Sequence, residues 1–262
     1  MGSIADKLSK LMETKSAIKS AITAKGVTVS DSDPFSSYAG KIAQIESGGF
    51  DLDDLIDGTP VSYTGNATKV REYAFSHCDP LEHISLPKAL TIGEYAFESC
   101  TNLISAEFPS ATEIGDFAFR YSGKLVEIYV PQAAEVGGRA FYECEGITSV
   151  NLPAVTKIGT FAYYGCINLA VVDLGNATKI DASAFSGCRA LDTFIIRAGS
   201  VCTISGATVF NNTPLYSGDG YFYVPKTLVS DYKSATNWTR FADQIRAIED
   251  YPDITDITEA AA

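Results

Sequence analysis

Six cysteines, two histidines and many serines are the residues of this chain that could carry chemistry. Cys78, Cys100, Cys144, Cys166 and Cys188 stand at multiples of 22 residues, with Ser122 filling the missing step. A zinc site needs closely spaced ligand pairs such as CxxC, and none occurs. A nucleophile needs a base, and the only histidines, His77 and His83, share one short stretch. Neither a G-x-S-x-G elbow nor a P-loop is present. Residues 51–58 (DLDDLIDG) hold four aspartates, but Leu55 stands where an EF-hand loop needs an oxygen ligand. That run reads as a solvated acidic linker, with weak Ca²⁺ binding as the alternative. These residues point away from an enzyme, a metal or a cofactor. The regular cysteine spacing points instead to a backbone that returns the same side chain to the same depth.

The period of 22 residues extends to many positions. Units open on Val70, Ile92, Ile114, Val136, Ile158 and Ile180. Five residues on stand Phe75, Phe97, Phe119, Phe141, Tyr163 and Phe185, each after an alanine. Leu81, Leu103, Leu125, Ile147, Leu169 and Leu191 follow the cysteine positions, and Pro87, Pro109, Pro131 and Pro153 close four units. Six units run through residues 68–199 without insertion. Segments such as Glu127-Ile128-Tyr129-Val130 alternate with period two, the mark of a half-buried strand. One unit is too short to close a core, so units must stack ~4.8 Å apart, six giving a rod about 30 Å long. The inward residues then form ladders. Gly93, Gly115, Gly137 and Gly159 are expected at φ values that other residues resist. The cysteines are expected as buried free thiols, since parallel Cβ vectors in stacked coils suit contact rather than a disulfide.

Composition agrees with this reading. The 262 residues are 46% hydrophobic, enough for one or two domains with a real core. No apolar run reaches the ~18–20 residues of a membrane span. The net charge of −12 argues against nucleic acid as a partner. Residues 1–50 carry six basic and five acidic side chains, so the acidity belongs to the later segments. The N-terminus lacks a secretory h-region, which sets the expectation of assembly in the cytoplasm.

The unit I-G-x-x-A-F-x-x-C-x-x-L-x-x-I-x-L-P resembles the BspA-type leucine-rich repeat of bacterial surface proteins. The resemblance covers about half the chain and departs from the pattern at Ser122, Gly175, Asp181 and Arg197. It implies a leucine-rich-repeat solenoid, mainly β and right-handed, with a parallel sheet of stacked coils and a binding or adhesion role. Residues 200–250 read as a degenerate coil (202–210), a strand at Tyr223-Val224-Pro225, and a cap of two helices, 226–236 and 237–248. Residues 251–262 read as a mobile acidic tail. At the other end, residues 1–48 read as a helical segment. Ile4, Leu8, Leu11, Lys15, Ile18 and Ile22 have coiled-coil seam spacing. A shorter helix with Phe35, Tyr38, Ile42 and Ile45 follows. This segment resembles a module of phage and prophage tail-associated proteins, which implies docking on tail or baseplate proteins and a trimer. The alternative is that these helices only cap the rod. Residues 49–67 form the acidic linker and N-cap.

Two outward surfaces are candidates for ligand binding. The sheet columns comprise His83 and Ser85, Ser105 and Glu107, Glu127 and Tyr129, Ser149 and Asn151, Val171 and Asp173, and Thr193 and Ile195. They vary between units while the inward columns hold, which permits recognition and equally fits an unconstrained solvent face. A second column carries Tyr73, Tyr95, Phe117 and Phe161, flanked by Tyr121, Tyr142 and Tyr164. Its rings either anchor a ligand or pack between coils. The resulting expectation is a non-enzymatic recognition protein for a cell-surface protein or glycan, on a virion or extracellular surface, with a structural spacer as the alternative.

Overall fold

The computed structural model describes residues 61–254 together with the helical pair Ile18–Lys19. Long and short strands alternate along the chain. They are β1 (Val61–Thr64), β2 (Leu81–Ser85), β3 (Thr91–Ile92), β4 (Ser105–Glu107), β5 (Glu113–Ile114), β6 (Glu127–Tyr129), β7 (Glu135–Val136) and β8 (Ser149–Leu152). Then come β9 (Lys157–Ile158), β10 (Val171–Leu174), β11 (Lys179–Ile180), β12 (Thr193–Ile196), β13 (Thr203–Ile204), β14 (Tyr221–Val224) and β15 (Ile245–Ala247). The short strands form one parallel six-stranded sheet, β3-β5-β7-β9-β11-β13. The long strands form two parallel sheets, β1-β2-β4-β6 and β8-β10-β12-β14-β15. Register follows the repeat, as in Ile84↔Ala106 and Val172↔Phe194. Among the described residues, β6 and β8 share no ladder pairing. There the inward residue Ile128 is only half-buried, unlike its neighbours in the column.

A third line of hydrogen bonds joins the coils through their turns. Tyr95 N donates to Asp116 O, Phe97 N to Ala118 O and Ser99 N to Arg120 O, and the pattern recurs in later coils. To aim these amides at the next coil, alternate turn residues adopt left-handed φ: Tyr73, Tyr95, Phe117, Arg139, Phe161 and Ser183 in one column, and His77, Ser99, Tyr121 and Glu143 in another. Non-glycine residues resist this conformation, so the stacked coils must hold it. Gly93, Gly115, Gly137 and Gly159, expected at such φ values, are not among the left-handed residues. Their constraint is contact: a Cβ on Gly93 would lie 2.5 Å from Glu72 N of the preceding coil, and one on Gly137 2.6 Å from Asp116 N.

The interior is one continuous cluster. Phe75, Phe97, Phe119, Phe141, Tyr163 and Phe185 stack along the rod with centroids 4.9 to 5.3 Å apart. The cysteines are free thiols, as the repeat phase implies. Each buried one is also a donor: Cys100 Sγ bonds Phe75 O at 3.0 Å, Cys144 Sγ bonds Phe119 O at 3.0 Å, and Cys166 and Cys188 repeat the contact. Ser122 Oγ does the same to Phe97 O at 2.8 Å, so the position needs a small side chain that also donates.

Residues 202–210 form the seventh coil, with β13 and a 3₁₀ turn at Ala207–Phe210. Helix α1 (Pro214–Ser217), capped by the Thr213 hydroxyl, leads into β14. The helical cap expected over 226–248 is present but short, opening with a 3₁₀ turn at Lys226–Leu228. Only α2 (Val229–Ser234) is α-helical, followed by a 3₁₀ segment at Thr239–Gln244 and by β15, which extends the sheet. The break has a cause: Asn237 takes φ 69, its amide donates to Ile204 O, and Trp238 Nε1 donates to Cys202 O at 2.7 Å. These anchors stop the helix and let Tyr232, Trp238 and Phe241 close the core beside Phe210 and Phe222.

Candidate functional site

The sheet face presents its outward columns in register. Ser105 pairs with His83 on one side and Glu127 on the other, and Glu107 with Ser85 and Tyr129. Ser105 Oγ lies 2.8 Å from His83 Nδ1, and Ser85 Oγ donates to Glu107 at 3.1 Å. The His83–Ser105 contact has the reach of a base and nucleophile. Both stand on an open sheet whose amides are engaged in the ladder, and among the described residues no donor pair is arranged to hold an oxyanion. Tyr129 is 48% exposed, and Glu127 and Asn151 are exposed beside it. Ser149 and Val171 are half-buried.

Two members of these columns are not open. Asp173 is buried, because Arg197 clamps it: Nε lies 2.9 Å from Oδ1 and Nη2 2.7 Å from Oδ2. Asp173 and Arg197 are thus an inter-coil ion pair, and Asp173 does not offer a ligand contact. Ile195 is fully buried beneath Tyr223 and Ile254. Ile254 lies in the expected acidic tail, which at that point is packed on the sheet. The open sheet face therefore runs from β2 to the edge of β10.

The turn face carries the aromatic column. Tyr73, Tyr95 and Phe117 stack with centroids 4.8 and 4.6 Å apart, and Tyr73 is 53% exposed. The rings pack between coils and remain partly exposed. Arg139 interrupts it, its guanidinium 5.5 Å from the Phe117 centroid and 5.0 Å from that of Phe161. Three residues along each turn lies a parallel column of Glu98, Arg120, Tyr142 and Tyr164, in which Tyr142 and Tyr164 stack at 4.9 Å. Arg120 sits 4.3 Å from the Tyr121 ring centroid. Between the columns, Arg120, Arg139, Tyr142, Phe161 and Tyr164 line a hollow of about 240 Å³. Burial, then the Glu143 carboxylate, raises the Tyr142 hydroxyl above the ordinary tyrosine value. The two arginines were missed in the sequence. Their signal was present, since Arg139 occupies a slot that is aromatic in four of the six units.

Burial pushes Cys78 up to about 11 and Cys202 to about 12, which keeps both as thiols. Among the described residues no group of His, Cys, Asp and Glu could hold a metal ion, and no helix is long and apolar enough to cross a membrane. Of the expected oligomerisation residues, Ile18 is helical and half-buried. Ile4, Leu8, Leu11 and Ile22 lie outside the described residues, as do the rest of segment 1–48, apart from Lys19, and the acidic run 51–58.

The BspA type leucine rich repeat region matches the chain in six copies, over residues 40–137 and 112–220. Among solved structures, a leucine rich repeat protein of T. pallidum is 30% identical over 50% of this chain and 65% of its own, with a TM-score of 0.48. A leucine-rich repeat protein from Bacteroides ovatus is 25% identical over 59% of this chain and 43% of its own, with a TM-score of 0.45. The chain thus spans less than two thirds of either structure. A leucine rich cell surface protein from Faecalibacterium prausnitzii is 17% identical, with a TM-score of 0.27. No curated protein matches the sequence.

Proposed function

Because this chain belongs to the BspA-type leucine-rich-repeat family, whose repeats are non-catalytic scaffolds, we propose that it is a recognition protein that binds a cell-surface protein or glycan through its open sheet face. The observation that carries the reading is the contrast between columns. Inward positions such as Ile84, Ala106, Ile128 and Val150 stay apolar throughout, whereas His83, Ser105, Glu127 and Ser149, and likewise Ser85, Glu107, Tyr129 and Asn151, change in charge and polarity from coil to coil on a rigid, evenly spaced support. Such a surface can meet a different group every ~4.8 Å. Tyr129 is its aromatic anchor. The double variant Tyr129→Ala with Asn151→Ala weakens adhesion of the full chain to its target cells and leaves the melting temperature in place. Unchanged adhesion excludes this face.

The helical resemblance of residues 1–48 supports a second layer of the proposal: presentation of the solenoid on a phage tail or baseplate, as a trimer, after assembly in the cytoplasm. Free thiols fit a reducing compartment during assembly. The competing reading makes the solenoid a spacer whose contacts lie in 1–48. Deleting residues 1–48 distinguishes them, because a recognition solenoid keeps its ligand and a spacer loses it.

A further inference from the structure

The hollow on the turn face has a composition unlike the rest of this acidic chain. Two cations and three aromatic rings meet there. The carboxylates around it each have a partner, two of them on residues that line the hollow. Glu98 takes Arg120 Nη1 at 3.4 Å, Asp116 accepts from Gly138 N at 2.6 Å, and Glu143 stands beside Tyr142. Arg120 gives its Nη2 to Tyr121 Oη at 2.9 Å. Arg139 is different. Among the described residues no carboxylate pairs with it, and its side chain lies between the Phe117 and Phe161 rings. A guanidinium held against ring faces keeps its N–H fork in the free plane, the geometry that takes a carboxylate through two bonds.

We propose that this hollow binds a single carboxylated sugar residue of uronate type, its carboxylate on Arg139 and its ring against Tyr142, Phe161 and Tyr164. The volume suits one ring: about 240 Å³ is below the ~300–1,000 Å³ of pockets for drug-sized ligands. The aromatic walls receive the C–H surface of a pyranose. Among the described residues the Tyr164 hydroxyl has no hydrogen-bond partner, and it is available to a sugar hydroxyl. Charge narrows the class further. With Asp116 and Glu143 near by and a net charge of −12, one carboxylate is accepted and a polyanion is repelled. The site lies on a different face from the sheet columns, so it stands or falls independently of them.

The test is calorimetric titration of the full chain with methyl glucuronide. Methyl glucoside, acetate, inorganic phosphate and a short polyglutamate peptide serve as comparators. The glucuronide binds at concentrations of about 10 mM or below, and the neutral glucoside binds at least tenfold more weakly. Arg139→Gln loses about tenfold or more, the scale of a charged hydrogen-bond pair, and Arg139→Lys loses nearly as much because it keeps the charge without the fork. Lys157→Gln removes one cation away from the hollow and changes nothing. Melting temperatures confirm that each variant is folded. The proposal is overturned if a folded Arg139→Gln variant binds as the parent does, or if glucoside binds equally. It is also overturned if acetate, phosphate or the peptide matches the glucuronide, or if no binding is detected.

Discussion

Replacing Gly137 and Gly187 with alanine separates two reasons for which a coil can demand glycine. At Gly137 an added Cβ would lie 2.6 Å from Asp116 N and 2.6 Å from Gly115 C, both backbone atoms of the preceding coil. Neither can rotate away, so the coils must part locally, stretching the 2.8 Å bond from Gly137 N to Ile114 O. Overpacking of this kind costs ~1–3 kcal/mol, and a weakened inter-coil hydrogen bond adds about 1 kcal/mol. A loss of about 3 kcal/mol follows. At Gly187, φ is +82 and the nearest atoms to an added Cβ are 3.5 Å away. Only the left-handed conformation is costly there, about 1 kcal/mol. His77, Ser99, Tyr121 and Glu143 already tolerate that slot at φ 54 to 63. For a domain of this size 1 kcal/mol moves the melting midpoint by ~2–4 °C, so Gly137→Ala lowers it by roughly 6–12 °C and Gly187→Ala by roughly 2–4 °C. Circular dichroism melts of the parent and both variants in one buffer give the comparison. Equal losses, or a larger loss at Gly187, would refute the argument that coil spacing rather than backbone conformation requires glycine at 93, 115, 137 and 159.

Three further outcomes are expected. Ser122→Cys stays within about 0.5 kcal/mol of the parent because the donor is kept, whereas Ser122→Ala loses about 1 kcal/mol in urea melts. Asp173→Ala removes the carboxylate that clamps Arg197, and since the arginine side chain is 34% exposed the loss is about 2 kcal/mol rather than the ~3–5 kcal/mol of a fully buried pair. The third concerns pH. Cys78 and Cys202 hold their protons to about 11 and about 12 in the fold, while an unfolded thiol titrates near ~8.5. The unfolded chain therefore releases protons first, and stability is level below about pH 8 and falls above it, by ~1.4 kcal/mol per pH unit for each such thiol. Urea midpoints that rise between neutral and alkaline pH would contradict this.

The interior was readable because each column makes one demand and repeats it. Phe97, Phe119 and Phe141 face the same stacked environment, as do Ile92, Ile114 and Val136. What the sequence hid were features that break the column or cross between columns. Spacing alone cannot tell a glycine needed for clearance from one needed for φ, and aromatic residues at positions 73, 95 and 117 conceal a left-handed turn that their type normally avoids. Residues 237–248 have helical apolar spacing, yet the Asn237 and Trp238 anchors stop the helix and Ile245 and Ala247 point inward from a strand. Asp173 and Arg197 are each a single departure from the pattern, and only folding makes them one feature. The Arg120–Arg139 hollow joins neighbouring coils across two columns, which the pattern within any single column does not reveal.

The missing pairing between β6 and β8 has a mechanical meaning. Coils stacked in a rod bear tension as springs in series, and each joint holds through lines of hydrogen bonds acting in parallel. Between the third and fourth coils the short-strand line persists through Glu113↔Glu135, and the turn line through Phe119 N to Ala140 O. The long-strand line is absent there. Under a pull along the axis this joint yields first, so the rod is expected to extend in two blocks divided near Pro131. Under the recognition role proposed above, that places a compliant joint beside the exposed Tyr129, within the proposed binding face.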